Sequence, residues 1–261
     1  MKLTKITSTQ NPLIKKIKNI YENPSYSKKN SIFVIEKPKL IFEAINNNIN
    51  IEFIFITEYE LEKFKNKLTF FLNNNNKIIL IDEKIAKFLS INVSYTEIFA
   101  LCNFKHNSKY IINKNKNYLL VDSIQDPGNL GTIIRTAFGL GIDGIFLYNC
   151  VYLFNNKCTK SCCGANFKSN IYEIKDINEL LNQCKQYNII CTSLDNDSED
   201  LEKQKFSKNN NLIVVGNEGH GVSPQILNYA TKKIKIKMLN NIESFNVAIF
   251  VGIICFKILR S

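Results

Sequence analysis

The chain has 261 residues, 45% of them hydrophobic, and 34 Lys+Arg against 23 Asp+Glu give a formal net charge of +11. That apolar content excludes a disordered chain, and the length suits two modest domains or one large one. The positive balance favours a polyanionic partner such as nucleic acid, although a chain this rich in Lys, Asn and Ile also has a compositional source for its lysines.

Eight cysteines contain no C-x-x-C pair, and the only histidines are His106 and His220. This lacks zinc-ligand spacing and reads as free thiols of a reducing cytosol, with no metal. The polar start carries no apolar signal core, and the longest apolar stretch, residues 245–259, is short for a bilayer and contains Lys257. A cytoplasmic protein without a membrane partner is expected.

Apolar spacing predicts a first helix over residues 6–21. Residues 31–36 (SIFVIE) read as a strand, 38–46 as a helix opened by Pro38, and 51–57 (IEFIFIT) as a second strand. A helix over 60–72 is broken by the asparagines 73–76. A strand at 78–81 and a helix at 85–89 follow. This is a small layered α/β unit, residues 1–103, and the lysine-rich stretch 104–117 reads as a linker.

Residues 118–261 are more regular. Strands are predicted at 118–122, 144–148, 188–192, 212–216 and 233–238. Helices are predicted at 130–140, 177–187, 223–229 (capped by Ser223) and 243–259. Continuous apolar strands alternating with helices imply a parallel sheet covered on both faces. The last helix is apolar almost all round, which requires either a central core position or a subunit interface.

Three strand-to-helix junctions in this half carry polar residues. The first, DSIQDPGNLGTIIRTA (122–137), places Asn129 and Gly131 where free N–H groups meet an anion, and Arg135 beyond them. Arg135 reads as an RNA contact or as an exposed arginine of an amphipathic helix. The second, LIVVGNEGHGVSP (212–224), is neither a dinucleotide fingerprint nor a P-loop. Its Gly216, Gly219 and Gly221 suit close backbone approach to a ligand or simply a tight turn, and Glu218 among them can accept a hydrogen bond or a proton. The third, IKMLNNIESFNVA (236–248), puts Ser244 or Asn246 at the mouth of the apolar helix.

Together these segments resemble the signature of the SpoU–TrmH family of RNA ribose methyltransferases, within the SPOUT class: D-P-x-N-x-G-x-x-x-R-T-A, then G-N-E-G-x-G, then E-S-x-N-V. The likeness covers residues 118–261. Residues 3–57, through STQNPLIKK (8–16) and FVIEKPKLIFEA (33–44), are more loosely similar to the substrate-binding domain of the branch that modifies ribosomal RNA.

The resemblance implies a parallel α/β fold with a C-terminal trefoil knot that forms an S-adenosylmethionine pocket. By analogy Thr192, Leu194, Gly216, Ile236, Met238 and Phe245 hold the cofactor. It further implies a homodimer joined through the last helix, and methyl transfer to a ribose 2′-hydroxyl of RNA, of 23S ribosomal type. Arg135 is the implied base, oriented by Asn129, with Glu218 and Asn246 shaping the site. A tRNA ribose methyltransferase, and a non-catalytic RNA-binding protein of the same fold, are the alternatives. The chain departs from the family pattern at Lys37 (for Gly), Lys160 (for Arg), Phe245 (for Leu) and Ala248 (for Ser). The two lysines bear on RNA docking, because lysine lacks the arginine fork.

Overall fold

The computed structural model describes residues 3–69, 71, 77–90, 95–104, 109–240 and 244–260. The chain forms two units, Met1–Lys105 with Phe154–Asn156, and His106–Leu153 with Lys157–Ser261.

The first unit runs β1 (Thr4–Ile6), α1 (Pro12–Glu22), α2 (Pro24–Asn30), β2 (Ile32–Glu36), α3 (Pro38–Asn46), β3 (Asn50–Ile56), α4 (Glu58–Phe64), β4 (Ile78–Ile81), α5 (Glu83–Leu89) and β5 (Ile98–Asn103). Its mixed sheet has the order β1-β4-β3-β5-β2. The first helix starts later than its periodicity predicts. The Asn11 side chain accepts from Leu13 N–H and Pro12 takes the first turn, so Ile6 is left to pair in β1 against Ile81. Ile14, Ile17 and Ile20 form the buried stripe of α1. The predicted helix over 60–72 begins at Glu58, capped by Thr57, and passes into a 3-10 turn at Lys65–Leu68. Its asparagine breaker lies outside the described residues. Helix α2 and strand β5 were not legible from periodicity. Lys37 precedes α3 with φ 83° and ψ 131°, a conformation that strains any residue with a Cβ.

The second unit runs β6 (Asn117–Asp122), α6 (Pro127–Leu140), β7 (Gly144–Tyr148), α7 (Asn156–Cys162), β8 (Ile171–Ile174), α8 (Ile177–Gln183), β9 (Asn188–Thr192), β10 (Glu199–Asp200), β11 (Asn211–Val215), α9 (Pro224–Leu227), β12 (Lys232–Lys235) and α10 (Val247–Leu259). Its seven strands are all parallel, in the order β10-β12-β9-β11-β6-β7-β8. The central β6 and β11 are buried along their whole length, as continuous apolar runs require. The strand order reverses between β6 and β11, where an open parallel sheet offers a ligand crevice at its carboxyl edge.

Residues 109–116, expected to be linker, are packed onto this unit. The Tyr110 ring meets Phe146 at 5.2 Å, and Ile112 joins the same apolar cluster. The lysines around them hid these anchors. Helix α10 also departs from the core-helix alternative. Val251, Ile254, Cys255 and Ile258 are buried, but Ile249 and Phe256 are 55% and 59% exposed and Ile253 is 37% exposed. No described helix is long and apolar enough to cross a membrane.

Candidate functional site

At the end of β6 the buried Asp122 carboxylate ties two loops together. One oxygen accepts the Ser123 hydroxyl at 2.8 Å and the other accepts Ser223 N–H at 2.7 Å. Ser223 therefore enters α9 through its backbone, and its hydroxyl makes no capping bond, contrary to its expected role. Asn217 reinforces the link by donating to Ser123 O at 2.9 Å and accepting from Gly219 N–H at 2.8 Å.

The glycine loop after β11 folds back on itself, Asn217 and Gly221 exchanging two backbone hydrogen bonds of 3.0 and 2.8 Å. A Cβ on Gly216 would lie 2.1 Å from Gly221 C and 2.3 Å from Val222 N. Gly216 is thus required by the chain's own closure. Gly131 serves differently: a Cβ there would sit 2.5 Å from Cys158 O and 2.6 Å from Ser161 Cβ, so its absence lets α7 lie against α6.

The three motif segments meet at three side chains. Asn129 Nδ2 donates to Glu218 Oε1. Asn246 Nδ2 donates to Asn129 Oδ1 at 3.0 Å, while Asn246 Oδ1 caps α10 by accepting Ala248 N–H at 3.0 Å. Residues 89 and 117 positions apart are so joined through one amide. Asn129 is itself fixed by Asp126, the N-cap of α6, which accepts Asn129 N–H at 2.8 Å. The Lys157 ammonium at 2.7 Å, with that N–H, holds the Asp126 carboxyl below the usual carboxylate range.

Arg135 stands apart from this cluster. Six residues beyond Asn129, it points about two-thirds of a turn round the helix. Its Nη1 donates to Cys163 Sγ at 3.4 Å, and its side chain is exposed. The resemblance has Asn129 orient Arg135, but within one chain the Asn129 side chain is engaged by Glu218 and Asn246. Lys160, in the place of a family arginine, is half-buried, and that burial pushes its ammonium pKa down.

A cavity of about 320 Å³ opens where the ends of β9, β11 and β12 converge, and all six expected cofactor residues line it: Thr192, Leu194, Gly216, Ile236, Met238 and Phe245. Glu218 joins this lining, which links the cavity to the Asn129–Asn246 cluster; Arg135 is not part of it. Asp195 and Asn217 also line the cavity and were not singled out from sequence, and His220, which reads from sequence as a loop residue, lines it too. Asp122 carried one readable signal, a carboxylate closing the apolar strand YLLVD. Among the described residues no group of three or more His, Cys, Asp or Glu could hold a metal ion.

Residues 116–256 match the SpoU rRNA methylase family. The chain is 29% identical over 231 residues to the uncharacterized tRNA/rRNA methyltransferase MG252 of Mycoplasma genitalium, covering 84% of this chain and 93% of that one. It is 25% identical over 260 residues to the 23S rRNA (guanosine(2553)-2′-O)-methyltransferase RlmP of Bacillus subtilis, covering 97% and 98%. Among solved structures, the AdoMet-bound rRNA methyltransferase of Sinorhizobium meliloti superposes with a TM-score of 0.86 at 21% identity, over 98% of this chain and 97% of that one. The AdoMet complex of the SpoU methyltransferase AviRb of Streptomyces viridochromogenes gives 0.84 at 18% identity, over 96% and 98%. These two likenesses establish the fold, and the motifs, the match over more than half the chain and the full-length relatives establish the rest: this chain belongs to the SpoU rRNA methylase family of RNA methyltransferases.

Proposed function

We propose that the protein transfers a methyl group from S-adenosylmethionine to a ribose 2′-hydroxyl of ribosomal RNA in the cytoplasm. The observation that carries this is the convergence of the three motif segments on Glu218, Asn129 and Asn246, beside a cavity lined by all six expected cofactor residues. When bound, the cofactor supplies an electrophilic methyl on a sulfonium, so no metal is needed. The chain's part is to hold that group, to align the hydroxyl and to receive its proton.

Glu218 and Asn246, locked through Asn129, fix the polar rim over which the ribose would sit. Arg135 is the proposed proton acceptor. An arginine is ordinarily always protonated, so this role requires the RNA phosphate to position it. The 23S-type target is favoured by the full-length match to a 23S rRNA enzyme, which includes the N-terminal α/β unit, here assigned to RNA binding. The exposed Ile249, Ile253 and Phe256 on α10 support a homodimer joined through that face.

Arg135→Ala should abolish methyl transfer to ribosomal RNA while adenosylmethionine binding, measured by calorimetry, persists. Near-normal turnover by this variant would remove Arg135 as the base. Failure of the wild type to bind the cofactor would remove the whole reading.

A further inference from the structure

One wall of the cofactor cavity is a loop that does not belong to the three motifs. After β9 the chain passes through residues 193–198 and re-enters the sheet as β10, on the far side of β12. Ser193 and Leu194 line the cavity, as does Asp195, and Leu194 is 70% exposed. An apolar side chain that open has little packing of its own to hold it in place.

The loop is held from β12. Ser193 N–H donates to Ile234 O at 3.1 Å, which fixes where the loop leaves the sheet. Beyond that, Lys233 Nζ reaches Asp195 Oδ2 at 3.3 Å and Asp197 Oδ2 at 2.9 Å, and Lys235 Nζ donates to Asp195 O at 3.4 Å. Asp195 is shaped for this contact, since its N–H donates to Ser193 Oγ at 3.1 Å and its carbonyl accepts Ser198 N–H at 3.0 Å. Lys233 itself does not line the cavity. It lies one residue before Ile234, which does, so strand and loop form one wall.

We propose that Lys233 is a positioning residue for the cofactor: by bridging Asp195 and Asp197 it holds the loop that carries Leu194 against the cavity. This rests on the cavity being the adenosylmethionine site. Lys233 acts on occupancy and not on the chemical step, because it touches neither the Glu218–Asn129–Asn246 cluster nor Arg135. Both ion pairs are open to solvent, so salt should loosen the wall.

The test is calorimetric and kinetic on the full-length protein. Exposed ion pairs are individually weak, so Lys233→Met should raise the adenosylmethionine Kd and KM by only about 3- to 10-fold. The kcat at saturating cofactor and the KM for RNA should stay at wild-type values. Lys233→Arg should restore the Kd, and Asp197→Asn, outside the cavity lining, should reproduce part of the loss. Raising salt should weaken cofactor binding to the wild type more than to Lys233→Met. A Kd for Lys233→Met equal to wild type, or a loss confined to kcat, overturns the inference. If Lys233→Met unfolds, Asp197→Asn decides it, through a raised Kd and a salt dependence of cofactor binding shallower than that of the wild type. Wild-type protein that binds no adenosylmethionine refutes the cavity assignment instead.

Discussion

Gly216→Ala tests the glycine loop directly. The new methyl would lie 2.1–2.3 Å from Gly221 C, Gly221 O and Val222 N, all backbone atoms, where contact distances are about 3.5 Å. No side-chain rotation relieves this, so the turn must open by more than an ångström. Opening breaks the paired Asn217–Gly221 hydrogen bonds of 3.0 and 2.8 Å, at about 0.5–1.5 kcal/mol each. Overpacking in a tight site adds about 1–3 kcal/mol. A destabilisation of about 2–6 kcal/mol follows, or a Tm lower by about 4–24 °C at about 2–4 °C per kcal/mol. The same movement displaces Glu218 and the cavity wall. Chemical denaturation with and without adenosylmethionine reads both effects: the variant should lose stability and also lose the increment that cofactor gives the wild type. Wild-type stability with an unchanged cofactor Kd would refute the reasoning, since the loop would then have room the structure denies it.

Four other changes probe separate features. Asn129→Asp removes the donor to Glu218 and sets two carboxylates side by side, so turnover should fall at least tenfold, measured by methyl incorporation, with little loss of fold. Cys163 is the exposed cysteine, Cys150 is intermediate and the other six are buried, so a maleimide added to folded protein should modify Cys163 first, as peptide mass mapping would show. Lys37→Gly relieves a backbone conformation costing about 1–3 kcal/mol against a glycine entropy penalty of about 0.4–1, and denaturant unfolding should show a net gain of about 1 kcal/mol. The Asp126 pKa is lowered from 3.8 in the fold, so its ionised form stabilises above that value and the contribution is lost as pH falls through the lower folded pKa. Acid titration of stability should therefore be shallower below pH 4 in Asp126→Asn than in wild type.

Strands with continuous apolar runs, such as residues 118–122 and 144–148, were legible because burial on both faces leaves a plain signature. Pro38–Asn46 was legible from its proline. Strand β5 was not, since IFALCN follows a polar stretch without any turn signal of its own. Nor was β8, where IYEI is too short for periodicity to register. In the site, spacing alone could mark Asn129, Glu218 and Asn246 as polar residues at strand-to-helix junctions. It could not show that one amide joins all three, because those contacts depend on tertiary approach across 89 and 117 residues. The direction of Arg135 was hidden for the same reason: its neighbour Cys163 comes from another helix end, brought close only by the missing side chain at Gly131.

The central strand pair has a consequence for how the chain is made. Asn117 at the start of β6 and the fully buried Asn211 at the start of β11 share an amide hydrogen bond of 2.9 Å and fix the register of the two strands, 94 residues apart. At about 5–20 residues per second, the ribosome needs about 5–20 s to deliver β11 after β6. Once β7 is made, β6 has it on one side and on the other an unpaired backbone edge along the apolar Tyr118–Val121, which is a template for pairing with other chains. A nascent chain stalled or truncated between residues 148 and 211 would keep that edge permanently. Yield in a cell should accordingly depend on chaperone capacity at this stage of synthesis more than on the stability of the finished fold.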